Sequence, residues 1–236
     1  MRKINGKYYF VYSSTIGHEL CYALGDTPEG PFKFGGTIVS NGDIGLKVHN
    51  GPKTAANYTG NTHGGILSIG DKHYIFYHRH TNGNCFSRQD CAEEIKIEPD
   101  GHIKQVEMTS CGLNGKPLEG SGEYEARIAC NLTSRKGGRF HAKPIGKNAK
   151  GCHPYFTQSG KDRDGDGDQY IANFTDGAMA GFKYFDIKEV KRVGVKVRGN
   201  AAGEIVVTNE PFGAPVATIA ISPSKEAKTF LSEYTG

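Results

Sequence analysis

Apolar positions along this chain fall in short bursts and not in stripes of helical period, which predicts many short strands joined by tight turns. Lys7-Tyr8-Tyr9-Phe10-Val11-Tyr12 and Lys72-His73-Tyr74-Ile75-Phe76-Tyr77 are aromatic and β-branched, and each follows a glycine-containing turn. They match at a constant offset of 65 residues, Lys7 to Lys72. Further candidates follow in the same order: 19–24 and 34–39 after the first, 86–97 and 103–108 after the second. Each unit reads as a four-stranded blade, and repetition on this scale is a propeller signature. Arg2-Lys3-Ile4 falls opposite Leu67-Ser68-Ile69, so Met1 is expected to be an internal residue with its strand already under way. About two blades are supplied, where closed propellers use about four to eight.

Cys111-Gly112-Leu113-Asn114-Gly115 and Gly120-Ser121-Gly122 then break the pattern. Beyond them, candidates at 169–173, 181–187, 193–198, 204–208 and 215–221, separated by Gly or Pro, suit a β-sandwich of the jelly-roll kind. The expected organisation is all-β: a partial propeller over 1–120, a linker over 121–137, and a sandwich over 138–236 that is incomplete at its C-terminus.

Composition agrees, with 33 Gly, 12 Tyr and 12 Phe in 236 residues and 36% hydrophobic residues, enough for a packed core. The formal charge of +4 is scattered over the chain, which argues against nucleic acid or a membrane surface as partner. No apolar run approaches the roughly 18 residues of a membrane span, and no signal-peptide core follows Met1. Localisation is left open. The six cysteines lack metal-site spacing, so free buried thiols are expected, with Cys85 and Cys91 the one pair spaced for a disulfide.

Several segments carry a resemblance: "KYYFVYSS", "HELCYALGDTPEGPF", "GGTIVSNGDIG", "GNTHGGIL", "YIFYHRHTNGNCFSRQ" and "YEARIACNL". Together, and in this order, they resemble the later part of glycoside hydrolase family 43 enzymes of arabinofuranosidase or xylosidase type, which have five propeller blades. "HPYFTQSGKDRDGDGDQYIANFTDGAMAGFKYFDI" and "VKVRGNAAGEIVV" are similar to appended family 6 carbohydrate-binding modules. The resemblance implies an inverting glycosidase acting on arabinose- or xylose-containing plant polysaccharide. One carboxylic acid protonates the leaving oxygen and a carboxylate about 6.5 to 9.5 Å away activates water. Neither matches a residue of this chain, and Glu19, Asp43 and Asp71 do not fit those motifs. The chain alone is therefore expected to be hydrolytically inactive.

The resemblance also implies site residues. His63 is expected at the central channel near a calcium ion or its water ligands, with Arg88 and Arg79 as sugar-binding guanidinium groups. His78 and His80 are expected at the rim. Tyr155, Phe156, Tyr170, Phe182 and Tyr184 are candidates for stacking on sugar rings in the module, with Tyr155, Tyr170 and Phe182 preferred. Asp162, Asp164, Asp166 and Asp168 alternate as in a calcium loop, although Asn173 stands where an EF-hand needs Glu. A solvated turn is the other reading of that loop. Calcium is thus the candidate metal, and no organic cofactor is expected. The alternative from another class is a non-catalytic carbohydrate-binding or calcium-stabilised β protein.

Overall fold

The computed structural model describes residues 1–84, 86–138, 153–161 and 167–236, all strand, turn and short 3-10 segments with no α-helix among them. By compactness the chain divides into two units, Met1–Leu118 with Glu123–Tyr184, and Glu119–Gly122 with Phe185–Gly236.

The first unit opens on an antiparallel four-stranded meander, β1 (Arg2–Ile4), β2 (Lys7–Ser13), β3 (Glu19–Gly25) and β4 (Lys33–Ser40). Asn5 and Gly6 both take positive φ, 49° and 81°, as a two-residue turn needs if its twist is to match the flanking strands. One face buries Tyr9, Leu20 and Tyr22. Phe10 and Phe34 lie outward on the other face, 44% and 69% exposed. The second sheet repeats the plan with β5 (Gly64–Ile69), β6 (Lys72–His80) and β7 (Arg88–Ile95), and the Ile69↔Lys72 turn pairing falls at the same offset from Ile4↔Lys7 as the sequence repeat. Ile66, Ile75, Tyr77 and Ile95 join Tyr9, Tyr22, Ile38 and Val39 in one core.

The second sheet stops at three strands, which corrects the expected four-stranded blade. Residues 103–108 are drawn to the first sheet. The Ile103 N–H donates to the Tyr22 hydroxyl at 2.9 Å, and the Val106 N–H donates to the Ile38 carbonyl at 2.9 Å in a parallel bridge. Ile103 and Met108 are buried there, so the segment satisfies its backbone and its apolar side chains together.

The chain leaves the first unit within β8 (Leu118–Glu119) and re-enters it at Glu123. There β9 (Asn131–Thr133) pairs with β12 (Met179–Gly181), and β10 (Tyr155–Gln158) pairs with β11 (Gln169–Ala172). Phe156 and Ile171 stand opposite each other and face a small core of Tyr58, Ala129 and Leu132. Arg79, 4% exposed, clamps this part of the unit. Its Nη1 donates to the Ala129 carbonyl at 2.6 Å, Nη2 to the Arg127 carbonyl and Nε to Gln89 Oε1 at 3.0 Å, while its guanidinium carbon lies 3.7 Å from the centre of the Phe156 ring. Compactness therefore groups residues 123–184 with the first sheets, a division different from the expected 1–120, 121–137 and 138–236.

The second unit contains β13 (Phe185–Asp186) and two antiparallel pairs, β14 (Arg192–Gly199) with β17 (Ser224–Glu233) and β15 (Gly203–Thr208) with β16 (Pro215–Ile221). Ala217 and Ile219 turn inward from β16. The ten-residue β17 was not expected from the sequence. The expected strand over 181–187 is split between β12 and β13; between them the Lys183 N–H donates to Ser110 Oγ at 3.2 Å, the Lys183 carbonyl accepts from the Ser110 N–H, and the Lys183 ammonium lies 2.8 Å from Asp43 Oδ2. Asp43 Oδ1 also accepts from the Met108 N–H at 2.7 Å.

Two outcomes follow from the buried polar groups. Glu93, 5% exposed, accepts from Tyr77 Oη at 3.2 Å, the Thr109 N–H at 2.6 Å and Thr109 Oγ1 at 2.7 Å. Burial nonetheless pushes its carboxyl up from 4.5 to about 7. Between those values the folded chain holds a proton that the unfolded chain releases, so this group weakens the fold as pH rises. Relative to wild type, Glu93→Gln is expected to gain up to about 3 kcal/mol between pH 4.5 and 8 in urea unfolding series. Arg79→Lys, which cannot reproduce the fork, is expected to lose about 2–4 kcal/mol with an unchanged urea m-value.

Candidate functional site

The polar face of the second sheet is set by strand register. In β6 and β7, His78 stands opposite Asp90 and His80 opposite Arg88, so these four side chains share one face. Arg79, paired with Gln89, and Tyr77, paired with Cys91, share the core face. Continuing the β5–β6 register past Gly64 brings His63 beside His78 and Asn61 beside His80. Two cross-strand rows result, His63–His78–Asp90 and Asn61–His80–Arg88.

Contacts within the rows bear this out. The His63 N–H donates to His78 Nε2 at 3.1 Å, and His63 Nδ1 lies 3.4 Å from the same atom. The three imidazoles are stacked, with centroids 5.6 Å apart for His63 and His78 and 6.3 Å for His78 and His80. His80 Nε2 is hydrogen-bonded to Asn61 Oδ1, and Arg88 Nη2 donates to that same oxygen at 3.4 Å. Behind them the loop is tied down: the Thr62 N–H donates to the Gly17 carbonyl at 3.0 Å, Ser13 Oγ to the Thr62 carbonyl, and Asn41 Nδ2 to the Gly60 carbonyl at 3.4 Å. Gly60 is needed, since a Cβ there would lie 2.6 Å from His80 Nδ1.

Electrostatics favour the neutral form of His78 and His80. Burial, then the Arg88 charge, pushes both His78 and His80 down to about 4; His63 adds to the shift at His78, and His78 to that at His80. Five of the described buried polar side-chain atoms without a hydrogen-bond partner belong to this corner: Asn41 Oδ1, Thr59 Oγ1, Thr62 Oγ1, His78 Nδ1 and His80 Nδ1. Glu93 is the described carboxyl raised toward neutrality, but it lies on the core face of β7 with both oxygens engaged, away from the two rows.

The expected site residues separate accordingly. His63 and Arg88 come together on the polar face, both exposed. Arg79 does not join them: its guanidinium is buried and bonded to the 127–129 backbone, the place of a structural clamp rather than a sugar ligand. Asn61 and Asp90 were missed, and alternation along the paired strands was the signal that would have found them. Tyr155 and Tyr170 share the half-buried outward face of β10 and β11, Phe156 is core, and Phe182 and Tyr184 are 44% and 46% exposed. Asp162, Asp164 and Asp166 lie outside the described residues, as do Cys85 and Cys152. Asp168 is exposed, and its carbonyl accepts from the Ser159 N–H at 3.0 Å. Calcium wants an oxygen cage. Around His63 the donors are stacked imidazoles, and no group of three His, Cys, Asp or Glu side chains suited to a metal ion occurs among the described residues. The described residues at His63 do not fit direct calcium coordination.

The neutral histidines give a measurable signature. His78 and His80 are expected to titrate with midpoints near 4 in carbon-detected NMR. Because the unfolded chain takes up these protons near 6.5, their contribution to stability is present above that pH and lost as pH falls toward 4. Midpoints near 6.5 in the folded chain would show that the row is hydrated and open.

With this geometry in place, relatives can be compared. No family model matches the chain. A xylosidase/arabinosidase of Thermoclostridium stercorarium is 48% identical over 221 residues, covering 94% of this chain and 46% of that protein. A β-xylosidase of Xylanibacter ruminicola is 36% identical over 108 residues, 45% of this chain and 29% of its own length. The chain thus spans less than half the length of these two curated relatives. Among solved structures, a GH43 β-xylosidase/α-arabinofuranosidase from a compost microbial metagenome, in complex with xylotriose, is 30% identical over 45% of this chain and 28% of that one, with a TM-score of 0.35. A superposition that low carries no argument. By sequence, the chain is similar to proteins named xylosidase/arabinosidase and β-xylosidase, each matched over less than half of its own length.

Proposed function

We propose that this chain is the sugar-contacting later portion of a glycosidase that hydrolyses xylosyl or arabinofuranosyl linkages in hemicellulose. The observation that carries the reading is the 48% identity sustained over 94% of the chain with a xylosidase/arabinosidase. The polar rows of the second sheet supply the chemistry: Arg88 offers a planar fork of donors to ring hydroxyls, and His78 and His80 behind it are held in the neutral form. His63 and Asp90 extend that surface. The reaction runs with inversion, by an acid and a base for which this chain offers no matching motif.

The same proposal includes the finer architecture. The two repeated sheets are about two blades of a five-bladed propeller, and the later strands belong to a carbohydrate-binding-like β-sandwich in which Tyr155, Tyr170 and Phe182 stack on sugar rings. Arabinoxylan-like polysaccharide is the natural partner for both surfaces. Calcium, if bound, sits where His63 meets the ion's water shell and not the ion itself.

Calorimetry with xylotriose tests the reading. Saturable binding is expected, and Arg88→Ala is expected to weaken it about tenfold, the loss of charge-assisted hydrogen bonds. The chain alone is expected to release no nitrophenol from aryl xylosides or arabinofuranosides. Failure of wild-type chain to bind either xylotriose or an arabinoxylan oligosaccharide would overturn the assignment.

A further inference from the structure

Asn61 occupies the middle of a chain of contacts whose proton positions can be deduced. Arg88 has donors only, so the Asn61 atom 3.4 Å from its Nη2 is the amide oxygen. His80 Nε2 meets the same oxygen and must therefore carry the imidazole proton. The lone pair is left on Nδ1, which is buried without a hydrogen-bond partner against Gly60, where any larger residue would strike it. His80 itself is 5% exposed and fixed by the β6–β7 ladder. One rigid, buried donor thus fixes the orientation of an exposed amide, and that amide in turn presents its oxygen to an exposed guanidinium.

We propose that Asn61 is a positioning residue, which holds the Arg88 guanidinium in the plane that receives neighbouring hydroxyls of a pentose ring. This rests on the sugar-binding reading above. The choice of amide over carboxylate has a consequence. An aspartate at this position would pair with Arg88 and draw a second proton onto His80, neutralising the cation that the ligand is meant to meet. Asparagine orients the guanidinium without setting a further carboxylate against it, alongside the bond that Arg88 Nη1 donates to the Ser87 carbonyl at 3.1 Å. The side chain acts on ligand through Arg88, so its removal should cost affinity without unfolding the chain, as Asn61 lies exposed at the surface.

The test is a double-mutant cycle on xylotriose binding with Asn61→Ala, Arg88→Ala and the pair, read alongside NMR of the same proteins. Asn61→Ala is expected to weaken xylotriose about fivefold to tenfold with an unchanged melting temperature, and the double variant to bind no more weakly than Arg88→Ala alone. Nitrogen shifts should show the Nε2–H tautomer of His80 in wild type and a mixture in Asn61→Ala. Asn61→Asp is expected to weaken xylotriose at least as much and to raise the His80 midpoint by more than one pH unit. Additive losses, or wild-type affinity in Asn61→Ala beside a weakened Arg88→Ala, overturn the proposal. Should wild type not bind xylotriose, the sugar-binding reading fails by itself. Positioning is then judged by rotation of the Arg88 guanidinium, slow in wild type and faster in Asn61→Ala if the proposal holds, equal in both if it does not.

Discussion

Everything at the polar face depends on the pairing register of β5, β6 and β7. Successive side chains of a strand point to opposite faces, so one residue of slip would send His78, His80, Arg88 and Asp90 into the core and bring Tyr77, Arg79 and Cys91 out. Several independent features pin the register: the short turn at Gly70, with φ +63°, the buried Ile66, Ile75 and Ile95, and the Arg79 fork on the 127–129 backbone. The clamp and the site lie back to back on the same two strands. Arg79 and Arg88 are chemically identical, yet the parity of their positions gives one to the core and the other to the surface.

The same sheet separates two kinds of ionisable group. On the core face, burial keeps Glu93 close to neutral despite three hydrogen-bond donors, and Asp43 stays close to the Lys183 ammonium and the Met108 N–H. On the polar face, burial and the adjacent Arg88 keep two histidines uncharged. Their pH dependences oppose each other, since acid favours the buried carboxyl and disfavours the buried imidazoles. The Arg88 cation therefore lies beside two imidazoles, His78 and His80, that are held in the neutral form.

Much of this fold was legible because its strands advertise themselves. Tyr9, Tyr74 and their aromatic and β-branched neighbours mark β2 and β6, and the repeat of turn and strand marks the second sheet as a copy of the first. What escaped had a physical reason. β17 begins with Ser224-Lys225-Glu226-Ala227-Lys228, four of them polar, as a strand exposed on most of its length can carry. At the interruption between β12 and β13, Lys183 makes long-range contacts with Ser110 and Asp43, which no local pattern encodes. Histidines and arginines stood out by type, and His63 and Arg88 were found that way. Asn61 and Asp90 gain their significance only from what lies across the strand, so they emerge once the register is known.

Residues 103–108 have a bearing on how the chain comes to be assembled. They reach back to the first sheet from later in the chain, as Val106 bonds to Ile38 of β4 and Ile103 to the Tyr22 side chain of β3. The Ile38 carbonyl and the Tyr22 hydroxyl of the first meander thus find partners in chain that follows the second sheet, so that part of the first sheet's border is completed by a later segment.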